Sequence, residues 1–175
     1  MMKAATVEKE KMTWRKPRLL GREYELLLKG QPLAYLRQTG WWPVQAHVFE
    51  GVGATDPVLR ATRSGVWRQK LHVKTLDYRL PQMTPADLSW RGEVKIELDN
   101  GRAYHFHPTN FWQTQWELND AQGTPCLFVH RNTWGFGGEI VPGDAALLSD
   151  EMRFLIYVAW NVIIMKMDDQ AAAAA

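Results

Sequence analysis

Six basic side chains crowd one short stretch of this chain. Arg60, Arg63, Arg68, Lys70, Lys74 and Arg79 lie between positions 60 and 80 with a single acid, Asp77, a local net charge of +5 in a chain whose total is +2. In Val66-Trp67-Arg68-Gln69-Lys70-Leu71-His72-Val73-Lys74, the residues Arg68, Lys70, His72 and Lys74 alternate with the others. Alternate residues of a β-strand leave the same face about 6.6–6.8 Å apart, so these four predict a positive row about 20 Å long. Trp67, Gln69, Leu71 and Val73 then share the opposite face. The chemistry of such a row is attraction for anions, whether the headgroups of a membrane surface or an acidic partner. A plainer reading is also open: lysine and arginine guard an edge strand against pairing with another sheet. Arg15, Lys16, Arg18 and Arg22 form a second acid-free group, which extends the patch only if the first strand lies beside the row.

Other constellations are thinner. His105 and His107 sit two apart on one strand face, with His130 in the next hairpin. Three converging imidazoles would suit zinc, but no cysteine or nearby acid completes a set, so no metal site is expected. Arg153, Tyr157 and Asn161 recur every four residues and make one stripe with polar tips on a helix. The expected role of Asn161 is structural, a bond to strand backbone or to a buried water. Trp41, Trp42 and Trp134 stand beside proline or glycine and are candidates for stacking on a ligand, as is Trp112. No nucleophile elbow, phosphate loop or zincin pair occurs, so no catalytic residue and no cofactor is expected. The predicted class is a binding domain rather than an enzyme, and neither basic group resembles a nucleic-acid motif.

Composition fits that picture. The chain has 175 residues, 46% hydrophobic and 23% charged, which suits one globular domain and excludes wholesale disorder. The near-neutral total excludes a surface that is everywhere a polyanion trap. Nine tryptophans are the unusual feature. Cys126 is the lone cysteine, so no intrachain disulfide is possible. The opening MMKAATVEKEKMT lacks an apolar core, reads as a flexible arm over residues 1–13, and is not expected to be a secretory signal. The predicted location is cytoplasmic, at most peripheral to a membrane.

What positions these residues is mostly period-two sequence. Glu93-Val94-Lys95-Ile96-Glu97-Leu98 alternates strictly, as a half-buried strand does. It meets Asp99-Asn100-Gly101, where Asn-Gly is expected to supply the positive φ angles of a tight hairpin. Arg102 to His107 returns. Trp112, Thr114, Trp116 and Leu118 predict one face of another strand, and Pro125 to Arg131 its partner. Tyr24–Leu28, Leu33–Gln38, Val44–Glu50 and Val66–Thr75 complete the series, with prolines between them. On this parity Trp67, Trp112 and Trp116 all fall on apolar faces.

One segment differs. Asp150 to Met167 has no glycine or proline, with Ser149 placed as an N-cap and acids in the first turn. From Phe154 to Met165 it is apolar almost all round, so this helix must be enclosed. The uncharged stretch is about 12 residues where a bilayer needs about 20, so the chain is not expected to be transmembrane. A two-layer packing buries one face of a helix. Burying every face calls for a sheet wrapped round it, a closed barrel with the helix on its axis. Trp160 in the helix and the strand tryptophans would fill such a barrel.

The hairpins ELDNGRAYHF and QWELNDAQGTPCLFVHR, the segment FGGEIVPGD and the terminal hydrophobic helix resemble the tubby C-terminal-like superfamily, which includes tubby-like proteins, phospholipid scramblases and LURP-one-related proteins. The resemblance covers about residues 14–167, which it marks as one domain with the helix over about 150–166; residues 168–175 read as a tail. It implies a mainly β fold, an antiparallel barrel of about 12 strands around a central hydrophobic C-terminal helix. It also implies binding of anionic phospholipid headgroups, or of a protein partner, through the outer surface. The candidate residues are Arg60, Arg63, Arg68, Lys70, His72 and Lys74. Scramblases place a calcium-binding acidic segment before the helix; here Glu139, Asp144, Asp150 and Glu151 are scattered, and neither calcium nor scramblase activity is carried over. A barrel holding a small apolar or carbohydrate ligand, with Trp41, Trp42 and Trp134 stacking on it, is the alternative.

Overall fold

The computed structural model of the chain describes residues 10–133, 136–143 and 149–175. Twelve strands run in sequence order: β1 (Met12–Arg15), β2 (Glu23–Leu28), β3 (Gln31–Thr39), β4 (Gln45–Glu50), β5 (Leu59–Ser64), β6 (Gln69–Thr75), β7 (Ala86–Leu88), β8 (Val94–Glu97), β9 (Ala103–Pro108), β10 (Gln115–Asp120), β11 (Pro125–Arg131) and β12 (Gly138–Pro142). One helix, α1 (Asp150–Ala173), ends the chain. Each strand pairs with its sequence neighbour, and β12 returns to β1 to close the barrel. The closing pair is antiparallel, with Met12 opposite Ile140 and Trp14 opposite Gly138. Because the strands run up and down in turn, successive connections alternate between the two ends of the barrel.

Alternation does the sorting. In β6, Leu71, Val73 and Thr75 point inward and Lys70, His72 and Lys74 outward. In β8, Val94 and Ile96 point inward and Lys95 and Glu97 outward. The inward residues enclose α1, which is buried without a break from Phe154 to Met167. Trp116 and Trp160 are both in this core, Trp116 stacked on Phe106 with ring centroids 5.2 Å apart.

Ser149 caps α1 by accepting from the Met152 amide at 3.1 Å. Charged groups then fix both ends of the helix. At the start, Glu151 accepts from Asn100 and Arg102, each at 2.9 Å, and from the Tyr104 hydroxyl. Arg153 lies 3.2 Å from Glu50 and 3.2 Å from Asp150, with Asp77 at 3.9 Å. Tyr157 donates to Glu50 at 2.5 Å; burial first, and this carboxylate second, push its phenol pKa well up. Arg79 and its neighbours hold Asp77 down to about 2. At the far end, Gln38 donates to Asp168 at 2.6 Å, and Arg63 reaches Asp169 at 2.7 Å. Lys166, almost wholly buried, donates to the Trp90 carbonyl and to Asp169, both at 3.1 Å. The helix therefore continues beyond Met167 to Ala173, through residues expected to be a tail.

Three local expectations change. The hairpin at Asn100-Gly101 has a positive φ only at Gly101, +81°. Asn100 instead uses its side chain, accepting from the Arg102 amide at 3.0 Å. Strand β6 begins at Gln69 rather than Val66, and β10 at Gln115 rather than Trp112. Both shifts put a tryptophan in a turn: Trp67 and Trp112 are exposed, not core.

Asn161 does not take the strand-backbone alternative. Its amide donates to the Tyr157 carbonyl one turn back at 2.8 Å, not to a strand, and its buried Oδ1 has no hydrogen-bond partner in the chain. An unpaired buried carbonyl is a net cost. Asn161→Leu is therefore expected to stabilise the domain by about 1 kcal/mol, raising Tm by roughly 2–4 °C in a scanning melt. A fall in Tm would mean that the amide holds the helix in place.

Candidate functional site

The predicted basic row forms, with one loss, and it grows sideways. Lys70, His72 and Lys74 share the outer face of β6. Arg68, in the preceding turn, is exposed beside them. Across the barrel wall Arg60 of β5 lies opposite Lys74, and His47 of β4 lies opposite Arg60. Arg37 of β3 is next, opposite His47. Strands are about 4.8 Å apart, so Arg37, His47, Arg60 and Lys74 make a second row about 14 Å long, crossing the first at Lys74. The outward residues of β4, β5 and β6 (Gln45, His47, Phe49, Arg60, Thr62, Ser64, Lys70, His72 and Lys74) include no acid.

The partners of these groups are few. Arg37 is held by Glu23 at 2.8 Å, and Asp87 approaches Lys70 only to 4.0 Å. His72 exchanges a hydrogen bond with Ser64 at 2.8 Å. Arg60 Nε donates to His47 Nε2 at 3.1 Å, which requires a neutral imidazole with its proton on Nδ1. Burial first, then Arg60 and Arg37, lower the His47 pKa below its ordinary 6.5. Among the described residues no carboxylate lies within 4 Å of Arg60 or Lys74 in an ion pair.

Pairing weakens the plainer explanation for part of the row. Strand β6 is paired to β5 along its length and to β7 over Gln69–Leu71, so Lys70 guards no edge, whereas beyond Leu71 that side of β6 is met by Pro81 and Gln82 at Thr75 rather than by a strand.

Several expectations are corrected. Arg63 does not belong to the site. It points inward at the end of β5, is 16% exposed, and is committed to Asp169. The second basic group does not extend the patch, since β1 is five strands from β6 around the wall. Its members are engaged elsewhere: Arg15 with Glu25 at 2.8 Å, Arg22 with the Gly40 carbonyl at 2.6 Å, Lys16 over the rings of Tyr24 and Phe136. His105 and His107 stack on each other, and Glu93 takes His105 at 2.7 Å; His130 lies two strands away, opposite Glu139. Among the described residues no three His, Cys, Asp or Glu side chains converge as a metal site. Glu139 pairs with Lys11, while Asp150 and Glu151 serve the start of α1. Asp144 and Trp134 lie outside the described residues.

Trp41 and Trp42 are exposed on the β3–β4 turn. The clearest concavity is elsewhere: a groove of about 870 Å³ on the outer wall over β7, flanked by Trp67 and Trp90 and walled by Lys70, Asp87, Glu93 and Lys95. Sequence reasoning missed it. The strand pattern put Trp67 indoors and gave β7, three residues long, no signal at all.

The chain matches no family model, no curated protein and no solved structure. Its fold class is that of a mainly β domain, a closed twelve-stranded antiparallel barrel with one C-terminal helix. Among the described residues no helix is long and apolar enough to cross a membrane.

Proposed function

We propose that this domain is a binding module that recognises anionic phospholipid headgroups through its outer wall. The observation that carries the reading is the pair of crossing cation rows on β3 to β6, with Arg60 and Lys74 opposite each other and unopposed by carboxylate among the described residues. A phosphate seated between Arg60 and Lys74 accepts from both side chains, and anionic leaflets attract such clusters by about 1 kcal/mol per surface cation. A barrel around a central helix is also what the resemblance to the tubby C-terminal-like superfamily implies, and the headgroup binding that this resemblance implies agrees with the same reading.

Co-sedimentation with phosphatidylserine-containing vesicles tests it. Arg60→Gln with Lys74→Gln is expected to weaken binding about 30-fold at low salt. Binding by the unaltered chain should fall steeply as salt rises, and it should strengthen as pH drops below 6, because protonating His47, whose pKa burial and the two arginines depress, adds charge to the rows. In an NMR titration, a soluble short-chain phosphatidylserine should raise the His47 pKa, since the anion offsets Arg60 and Arg37. Equal affinity for neutral and anionic vesicles at low salt would sink the proposal.

The groove favours a second reading, a carbohydrate ligand. Trp67 and Trp90 offer ring faces, and the walls carry acids and amines in near balance, which suits a neutral polyol. The barrel axis is not available for a ligand, because α1 fills it. Soluble oligosaccharides that compete with vesicles, or bind where vesicles do not, would favour this reading over the first.

A further inference from the structure

The exposed apolar side chains of this protein are gathered at one end of the barrel. Six connections lie at that end, each joining an odd-numbered strand to the next even one; their described residues are 16–22, 40–44, 65–68, 89–93, 109–114, 132–133 and 136–137. The helix C-terminus emerges among them, as its bonds to Gln38, Arg63 and the Trp90 carbonyl show. Of the fourteen exposed large hydrophobic residues among those described, ten sit on these six connections. Each connection contributes at least one. Leu20, Trp41 and Trp67 are 96%, 92% and 97% exposed, and Trp90, Phe111 and Trp112 follow around the ring. Among the described residues, the opposite end shows only Val52, Leu76 and Tyr78.

This arrangement is costly in water, and it has a consistent character. Contiguous exposed apolar surface on a soluble domain marks an interaction face. Tryptophan is the side chain enriched where hydrocarbon meets water, because its ring is apolar and its N–H needs a polar partner. The six connections also carry five basic residues, Lys16, Arg18, Arg22, Arg68 and Arg91, against one acid, Glu93. The opposite connections show no such bias: Lys29, Arg79 and Arg102 are matched by Asp56, Asp77 and Asp99. Apolar tips with cations just behind them fit an anionic bilayer, where indoles reach the acyl boundary and the cations stay among phosphates. Trp67 and Arg68 are adjacent on the β5–β6 turn, so this ring is continuous with the upper end of the cation rows.

We infer that this end of the barrel inserts its loop tips into the interface of a phospholipid bilayer, with the barrel standing on the membrane and the β5–β6 wall tilted toward it. The inference rests on the lipid-binding reading and goes beyond it. That reading needs adsorption by charge alone; this one requires contact with acyl chains.

Tryptophan emission of the full chain, measured with vesicles whose acyl chains carry bromine, separates the two. With brominated phosphatidylcholine and phosphatidylserine, the exposed indoles should shift to the blue and be quenched, while buried Trp14, Trp116 and Trp160 keep a constant background. Trp67→Ala with Trp90→Ala should reduce the quenching, leaving the share of Trp41, Trp42 and Trp112, and weaken binding roughly tenfold for each indole withdrawn. Both side chains are exposed, so the fold survives and the melting curve should not move. Arg60→Gln with Lys74→Gln should lower the amount bound but leave the quenching per bound molecule unchanged. Protein that binds anionic vesicles without quenching by bromine overturns insertion and leaves headgroup binding standing. Absence of binding to any vesicle overturns both. Concentration-dependent dimers in sedimentation, lost in Trp67→Ala, would make the ring a self-association face and overturn insertion.

Discussion

Trp160→Ala is expected to destabilise the domain by about 3–5 kcal/mol, the largest loss of any single truncation in the helix. Trp160 is fully buried near the middle of α1, on the barrel axis. Its Nε1 has no hydrogen-bond partner in the chain, so the loss is one of packing alone. What makes the site severe is enclosure. A helix on a sheet or in a bundle has neighbours that can slide into a vacated space. Here β-strands joined in a closed ladder surround the helix, and shrinking the ring would break register on every side. The cavity therefore stays open, and the cost sits at the high end for its kind. For a chain of this size the loss lowers Tm by about 10 °C. Urea unfolding followed by far-UV circular dichroism measures it, with Leu20→Ala on the exposed ring as a control that should stay within about 0.5 kcal/mol of the parent. A loss below 1 kcal/mol would contradict a helix held on all sides.

The enclosure itself was legible from residues 149 to 167. A capping serine, acids in the first turn and a run apolar on every face leave few arrangements other than a helix inside a sheet. The strict alternation of Val94 to Leu98 identified wall strands in the same way. Other strands were hidden for physical reasons. In β7, Ala86-Asp87-Leu88 is too short to show a period, and β12 is bounded by Gly138 and Pro142, which read as turn residues. The number of strands came from family resemblance, not from periodicity.

Trp67 and Trp112 show where parity misleads. Each has the parity of its strand's buried residues, but Trp67 stands two residues and Trp112 three residues before its strand begins. At Gly65, with φ +85°, a Cβ would sit 2.2 Å from the Arg68 carbonyl oxygen, so the chain turns there and throws Trp67 outward. At Asn110 the side chain accepts from the Thr114 amide at 2.9 Å and closes a turn around Trp112. Ser64-Gly65 and Thr109-Asn110 carried that signal in the sequence. Period two tells which face a strand residue takes; it does not tell where the strand stops. The cation rows were half legible for the same reason. Lys70, His72 and Lys74 obey parity within β6, whereas Arg37 and His47 join them only through pairing across β3, β4 and β5, which local sequence does not encode. Arg63 looked like a member by position, but parity within β5 turns it inward, where only Asp169 of the helix could have explained it.

The seam that closes the barrel should be the least tolerant of added volume, and Gly138→Ala is the sharpest probe of it. Gly138 opens β12 and lies opposite both Trp14 of β1 and Arg131 of β11. A Cβ there would fall 2.1 Å from the Trp14 ring and 2.3 Å from the His130 carbonyl oxygen. These two obstacles differ in kind. The indole is a side chain, but it is buried among core residues and has nowhere to turn. The carbonyl belongs to the β11 backbone and can retreat only by lengthening ladder bonds to β12. The expected cost is about 3 kcal/mol, at the top of the range for overpacking. Trp14→Leu in the same chain should recover part of that loss, since it removes the ring but not the carbonyl, so the double variant should be more stable than the sum of its parts. Gly101→Ala supplies the contrast. Nothing lies within 4 Å of its Cβ, and the expense is confined to the positive φ, about 1 kcal/mol. Equal costs at Gly138 and Gly101 would mean that β1 and β12 do not meet as a closed seam, leaving those two strands as the edges of an open sheet.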